Sequence, residues 1–456
     1  MGDALPQPNP PTTRRFVSRL TSWRVVLLVV WAVSAAYGFH YLSRGWIPDE
    51  EGTLAVSAER VLAGEMPHRD FDTGYTGGWS YLNALAFKLL GTNLMSPRLV
   101  LFAVFLLWIP AVYYIASHFA GPLLAGLTAL LCAAWSLPIY SGALPSWYNL
   151  FLAVFGVAAL FRFLETERRR WLLVAGVLGG MSILFKMIGL YYVAGVLLFL
   201  AYHEQVLARK TLKAPSEGGR NYLYLIAFGL VLFIGMLAAV VRMRPNVEAV
   251  IHFVLPGAAI VVLVLAGEHA EPRGRLPQRA AGLLRLTVPF GLGVLIPIVV
   301  FLIPYLLTDS LAALAADLSG APATQVAFAH RDLPGLHTFA AALPVVALLG
   351  LAPRWRGRGR ISWLVGTAAA IAAGALLLAA GNQAAYRTVW HSMRALGPVT
   401  VVAGAWYLER RRVSTDVADI PDLPRQQIVL LLSTTAVCGL VQFPFAAPIY
   451  FFYFAP

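Results

Sequence analysis

Cysteine and charge are both scarce in this chain of 456 residues. Only Cys132 and Cys438 are present, each inside an apolar run, where a thiol behaves as a small hydrophobe. A disulfide-stapled scaffold is therefore excluded, and cysteine usage is silent on redox compartment. Charged residues make up 12% of the chain, against about 25% in ordinary soluble domains, while 59% of its residues are apolar. That balance excludes a soluble globule and reads as a polytopic membrane protein. Acids are scarcer than bases, 22 against 35, for a formal net charge of +13. The basic residues sit in short clusters between apolar runs, which is a topology signal and not a nucleic-acid footprint, so no nucleic-acid partner is expected.

What the sequence has in abundance is apolar runs of about 17 to 25 residues, each long enough to cross a bilayer. They predict an all-α, polytopic transmembrane helical bundle of about thirteen spans. The first eight lie near 23–42, 98–117, 122–140, 147–164, 171–186, 188–203, 221–241 and 249–266. The rest lie near 285–306, 338–352, 361–380, 394–408 and 426–442. A cleavable leader ending at Val33-Ser34-Ala35 competes for the first run, but apolar character continues to Leu42, long enough to span. One membrane domain, 23–456, then follows a cytoplasmic tail, 1–22, and no separate soluble domain is expected.

Orientation follows from the clusters at Arg168 to Arg170, Arg209 to Arg220, Arg273 to Arg285, Arg354 to Arg360 and Arg410 to Arg425. With the N-terminus inside, all of these face the cytoplasm, contacting anionic membrane lipid. The expected location is the cytoplasmic (inner) membrane, and residues 44–97 become an outer loop. That loop, with Arg98 at its end, carries seven of the 22 carboxylates: Asp49, Glu50, Glu51, Glu59, Glu65, Asp70 and Asp72. The pattern predicts a short amphipathic helix from Glu50 to Ala63 with Gly64 as its C-cap, and a second from Trp79 to Leu90 after Gly74-Tyr75-Thr76-Gly77-Gly78. Two accounts of the opening acids compete. Asp49 as N-cap, with Glu50 and Glu51 as first-turn acids, needs no function. Carboxylates gathered at a membrane surface also suit a divalent cation or the removal of a proton from a hydroxyl.

The order of these features resembles the GT-C superfamily, and within it the protein O-mannosyltransferase and aminoarabinose-transferase type of membrane glycosyltransferase. The resemblance rests on a first span, then P-D-E, R-V-L-A-G-E-M-P-H-R-D-F, G-G-W-S-Y-L and F-K-L-L-G before the second span. It covers residues 23 to 205 and is architectural beyond them. It implies inverting transfer of a hexose or pentose from a polyprenyl-phosphate-linked sugar donor to a lipid, glycan or protein acceptor hydroxyl on the outer face. It makes Asp49 the leading candidate for general base, Glu50 and Asp70 candidates for metal or acceptor positioning, and Asp49 with Asp70 the candidate ligands of a divalent metal ion. His68 and Arg69, beside Asp70, join the candidate binding residues.

Lys186 interrupts an apolar stretch at the outer end of a span. It either snorkels to the interface or binds the carrier phosphate as it leaves. Trp147 and Asn149, in the second outer loop, are either interfacial belt residues or lining for a sugar. Tyr386, Arg387 and Arg394 are either headgroup anchors or a phosphate and sugar contact set. His330, Arg331, Asp332 and His337 fit no zinc spacing. Two rivals remain: a transporter or lipid flippase, which internal symmetry would favour, and a non-catalytic scaffold in which the acids only cap helices.

Overall fold

The computed structural model describes residues 12–46, 48–212, 219–242, 246–271, 273–328, 394–413, 421–444 and 447–456. Among them the chain is helical throughout, without a β-strand. Helices α1 (Thr12–Leu42), α4 (Met95–Ser117), α5 (Pro122–Ala134) and α6 (Pro145–Thr166) come first. Between α1 and α4 lie a π-helical turn, Pro48–Gly52, and helices α2 (Thr53–Leu62) and α3 (Gly78–Leu90). After them run α7 (Arg170–Phe185), α8 (Gly189–Thr211), α9 (Gly219–Arg242), α10 (Val247–Ala270), α11 (Leu276–Leu307) and α12 (Leu311–Phe328). The last are α13 (Leu396–Val413), α14 (Asp422–Cys438) and the short α15 (Pro448–Phe452).

Eight helices among the described residues are long and apolar enough to cross a membrane, and α7 is a shorter apolar one. The predicted spans at 338–352 and 361–380 lie outside the described residues. Those at 394–408 and 426–442 coincide with helices α13 and α14, which are not among the eight. The segment after Leu307 contains the 18-residue helix α12. In the first loop, Gly64 adopts φ +91 just after α2, the left-handed conformation a helix-ending glycine supplies. The acids at 49–51, however, sit in the π-helical turn and not in the first turn of α2, whose N-cap is Gly52.

Lipid gives no hydrophobic drive for helices to meet, so close packing has to come from small residues. Helices α7 and α11 meet this way, backbone against backbone. A Cβ on Gly176 would lie 2.0 Å from the Phe290 carbonyl oxygen, and one on Gly293 would lie 2.2 Å from that of Leu173. One buried cluster joins α6 to α11 with α13 and α14, including Phe161, Phe199, Phe253 and Phe290. A second joins α1, α4, α5 and the start of α6 to the C-terminal segment, through Phe105, Trp108, Phe151 and Tyr453. The break between α7 and α8, the π-turn and the C-terminal segment meet at the edge of this second cluster.

Candidate active site

The π-turn is fixed by Glu51 and Arg98. Arg98 donates Nε to Glu51 Oε1 at 2.8 Å and NH2 to Oε2 at 2.6 Å, a bidentate pair in which both side chains are buried. The same guanidinium donates to the carbonyls of Leu42 and Gly45, at 3.0 and 2.7 Å, and Ser141 Oγ donates to that of Arg44. Glu51 is thus committed to structure. Successive residues of a helical turn point roughly 100° apart, so Glu50 is free to face elsewhere. It is half-buried, its Oε2 accepts from the Tyr140 hydroxyl at 3.4 Å, and its charge acts on Lys186, Tyr75, Tyr450 and Tyr453. The side chain of Asp49 lies outside the described residues.

Lys186 follows α7 in extended conformation, its N–H donating to the Ser182 carbonyl at 3.1 Å. Its Nζ donates to Ser146 Oγ at 3.0 Å. Asn149, one turn along α6 from Ser146, anchors this break: its Nδ2 donates to the Ser182 carbonyl at 2.8 Å and to Ser182 Oγ at 2.6 Å. The glycine-rich turn docks on the same end of α7. Thr76 Oγ1 donates to the Ile183 carbonyl at 2.7 Å, and any Cβ on Gly78 would come within 2.8 Å of Leu184. That docking brings the Tyr75 ring to Lys186. Burial pulls the Lys186 ammonium down to about 8, opposed by the charge of Glu50. Burial, then the charge of Glu50, pushes the Tyr450 hydroxyl up to about 12 and raises Tyr75 and Tyr140 further.

The other predicted residues fall elsewhere. Asp70 accepts from Arg69 Nε and NH2 at 2.9 and 2.6 Å and from the Met66 N–H at 2.7 Å, so both carboxylate oxygens are engaged within its own turn. The Arg69 bonds, then that of Met66, hold its carboxyl below the usual range. Arg69 is spent on Asp70, and His68 Nδ1 shares a 2.5 Å hydrogen bond with Asp317 of α12. The Tyr305 hydroxyl donates to the Pro67 carbonyl at 2.8 Å, tying this turn to α11 as well. Trp147, read as either an interfacial belt residue or sugar lining, is fully buried. Its indole N–H donates to the Tyr140 carbonyl at 2.9 Å, and its ring meets Tyr453 edge-on at 4.6 Å. Arg394 is also fully buried, donating Nε to Gln442 Oε1 at 2.7 Å. Tyr386 and Arg387 lie outside the described residues.

No group of three or more His, Cys, Asp or Glu among the described residues is arranged to hold a metal ion. Of the expected Asp49 and Asp70 pair, Asp70 is bonded to Arg69 and Met66, and the side chain of Asp49 lies outside the described residues. Sequence reasoning missed Tyr75, Ser146, Tyr450, Arg98 and Asp317. The aromatic density of G-Y-T-G-G and of the final residues was a signal for the two tyrosines, but Arg98 and Asp317 act across 47 and 249 residues of chain and leave no local trace.

Two of the cavities among the described residues lie in different parts of the bundle. One, of about 550 Å³ and mostly apolar, lies beside the C-terminal segment and is walled by Trp135, Ala153, Leu431, Cys438, Phe451 and Phe454. Another, of about 580 Å³, lies towards the opposite end of the bundle near His203, Glu204 and Arg279, away from Lys186.

No curated protein sequence matches the chain. Among solved structures, it is similar to the oligosaccharyltransferase of Archaeoglobus fulgidus in complex with Zn and sulfate, at 15% identity and a TM-score of 0.36, over 94% of this chain and 52% of that one. It is also similar to ArnT from Cupriavidus metallidurans bound to undecaprenyl phosphate, at 17% identity and a TM-score of 0.31, over 94% of this chain and 78% of that one. The chain thus spans about half the length of the archaeal enzyme. The family model for dolichyl-phosphate-mannose-protein mannosyltransferase matches residues 78–240, from α3 to α9, a stretch that includes Lys186 and begins after the acid turn. Through that stretch the chain is similar to that mannosyltransferase family.

Proposed function

We propose that this protein transfers a sugar from a polyprenyl-phosphate donor to an acceptor hydroxyl at the outer face of the membrane. The observation that carries the reading is the meeting of one uncommitted acid, Glu50, and one ammonium, Lys186, in a single tyrosine-lined cluster at the loop end of the bundle. In the reaction, the acceptor oxygen attacks the anomeric carbon while its proton passes to a carboxylate of the Asp49-Glu50 pair. The bond from that carbon to the phosphate oxygen breaks, and its electrons stay on the carrier phosphate. A single displacement of this kind inverts the anomeric carbon. Lys186 stabilises the charge left on the phosphate, where a cation in a water-poor site is most effective. The apolar cavity beside the C-terminal segment suits the isoprenoid tail of such a carrier, and the basic clusters support the outward orientation of the loop.

The test is sugar transfer in membranes supplied with a polyprenyl-phosphate sugar, comparing the parent with Asp49→Asn, Glu50→Gln and Lys186→Ala. Loss in Lys186→Ala and in at least one acid variant is expected. Full activity in both acid variants would remove the proposed base, and flux of labelled donor without covalent transfer would favour a transporter.

A further inference from the structure

The Lys186 ammonium lies over two aromatic rings. Its Nζ lies 5.3 Å from the centroid of Tyr75 and 5.4 Å from that of Tyr450, within the ~6 Å at which a ring face attracts a cation. The rings reach it from distant parts of the chain. Tyr75 comes from the glycine-rich turn docked on α7, and Tyr450 comes from α15. An ammonium has three N–H donors, and Ser146 Oγ takes one of them.

A carboxylate in place of the rings would also hold the ammonium, but it would neutralise the charge and occupy its donors. A ring face holds the charge through its quadrupole and leaves the remaining donors for an incoming anion. The distinction matters here because Glu50 stands close enough for its charge to act on Lys186. Among the described residues, the other titratable groups facing this space include Tyr140, from the segment before α6, and Tyr453, which follows α15.

We infer that Tyr75 and Tyr450 are positioning residues that cage Lys186 and present its ammonium to an anionic phosphate. The identity of that phosphate as a polyprenyl carrier rests on the transferase reading above; the cage does not.

The test uses the full chain in lipid nanodiscs with undecaprenyl phosphate as the probe. Tyr450→Phe and Tyr75→Phe keep the ring face and should bind within about twofold of the parent. Tyr450→Leu and Tyr75→Leu lose it and should bind about three- to thirtyfold more weakly. In a Lys186→Ala background, Tyr450→Leu should add nothing further. Phenylalanine variants as weak as the leucine variants would overturn the cage, because the hydroxyl and not the face would then be at work. Equal losses with and without Lys186 would overturn it too. If the parent itself fails to bind the probe, the transferase reading falls, and the cage is judged by NMR of the reductively dimethylated protein. There the Lys186 methyl signal should be shifted upfield by ring currents and return to the ordinary lysine position in Tyr450→Leu. An unshifted signal in the parent would overturn the cage. Should Tyr450→Leu fail to assemble, Tyr75→Leu carries the same comparison from the other side.

Discussion

The two ends of the helical bundle treat buried charge in opposite ways. Towards the end away from the acid turn, Arg279 donates Nε and NH2 to Glu204 at 2.8 Å, and NH1 and NH2 to Glu268 at 2.7 and 2.8 Å. Tyr222 donates to Glu204 and Gln205 to Glu268, so that α8, α9, α10 and α11 share one network. All three charged side chains are nearly inaccessible, and the guanidinium is fully engaged by its partners. At the loop end, Glu51 and Arg98 repeat that closed arrangement in miniature. Among the described residues, the neighbouring Glu50 has a single 3.4 Å bond, from a tyrosine hydroxyl, and Lys186 bonds a serine and two ring faces. Charges whose bonding capacity is used up hold helices together. Charges that keep bonding capacity to spare suit the ligand site proposed above, and Lys186 precedes the N-terminal end of α8 while Glu204 of the closed network lies in its C-terminal half.

The contrast is sharpest between neighbouring acids. Glu50→Gln should lower the transfer rate about 10²- to 10⁴-fold, the range for a general base, and leave thermal unfolding of the detergent-solubilised protein unchanged. Glu51→Gln should do the reverse in kind: it leaves Arg98 buried against a neutral partner, at a cost of about 3–5 kcal/mol in stability, seen as a lower midpoint and as increased proteolysis of the first loop. If Glu51→Gln were stable and inactive while Glu50→Gln stayed active, the assignment of roles within the turn would be inverted. At the other end, Arg279→Met should cost about 3–5 kcal/mol by stranding two carboxylates, while the protein that remains folded transfers sugar at the parental rate. A rate loss exceeding the loss of folded protein would show that the closed end also takes part in the chemistry.

Much of the frame was legible because spans are delimited by physical extremes. Apolar runs end at clusters such as Arg168 to Arg170, and Gly64 and Gly78 mark the limits of the loop helices. Helix α12 was not legible, since Leu311–Phe328 is rich in alanine and contains Gly320 and Pro322, which read as loop. The site was legible as a set of residue types but not as a division of labour. Three adjacent acids look alike in sequence, and only the Arg98 guanidinium, 47 residues away, separates the structural one from its neighbours. Lys186 stood out because a cation in an apolar stretch demands an explanation. Trp147 could not be resolved because an aromatic residue at a span end has the same local signature whether it faces a sugar or packs against neighbours such as Tyr140 and Tyr453.

The comparison also has a pH form. Burial lowers the Lys186 ammonium to about 8, so the cation is present below that pH and is lost as pH rises through it. Binding of undecaprenyl phosphate should therefore weaken on the alkaline side, with an apparent midpoint near 8, as the amine loses its proton. Lys186→Arg keeps its charge throughout this range, so any residual binding in that variant should show no alkaline fall near pH 8. An alkaline midpoint that persists unchanged in Lys186→Arg would assign the titration to another group.

The smallest effect is expected at Asp70, the acid that its position in P-H-R-D-F-D made a candidate for catalysis and metal binding. Its oxygens already accept from Arg69 and from the Met66 N–H, and Arg60 donates to its backbone carbonyl at 2.9 Å while lying over the Phe71 ring at 4.4 Å. The turn is thus held by several contacts, of which the carboxylate supplies only some, and the Arg69 pair is partly exposed, where ion pairs contribute little. Asp70→Asn keeps the shape and one amide oxygen to accept from Met66, so the transfer rate should stay within roughly threefold of the parent. Because the shift of Asp70 is downward, its carboxylate bonds persist across neutral pH and should weaken only in acid, so an acid limb in the rate that Asp70→Asn abolishes is not expected. A hundredfold loss in Asp70→Asn, with the fold intact and restored by added divalent cation, would place a metal at this turn and extend the open chemistry of the loop end beyond Glu50 and Lys186.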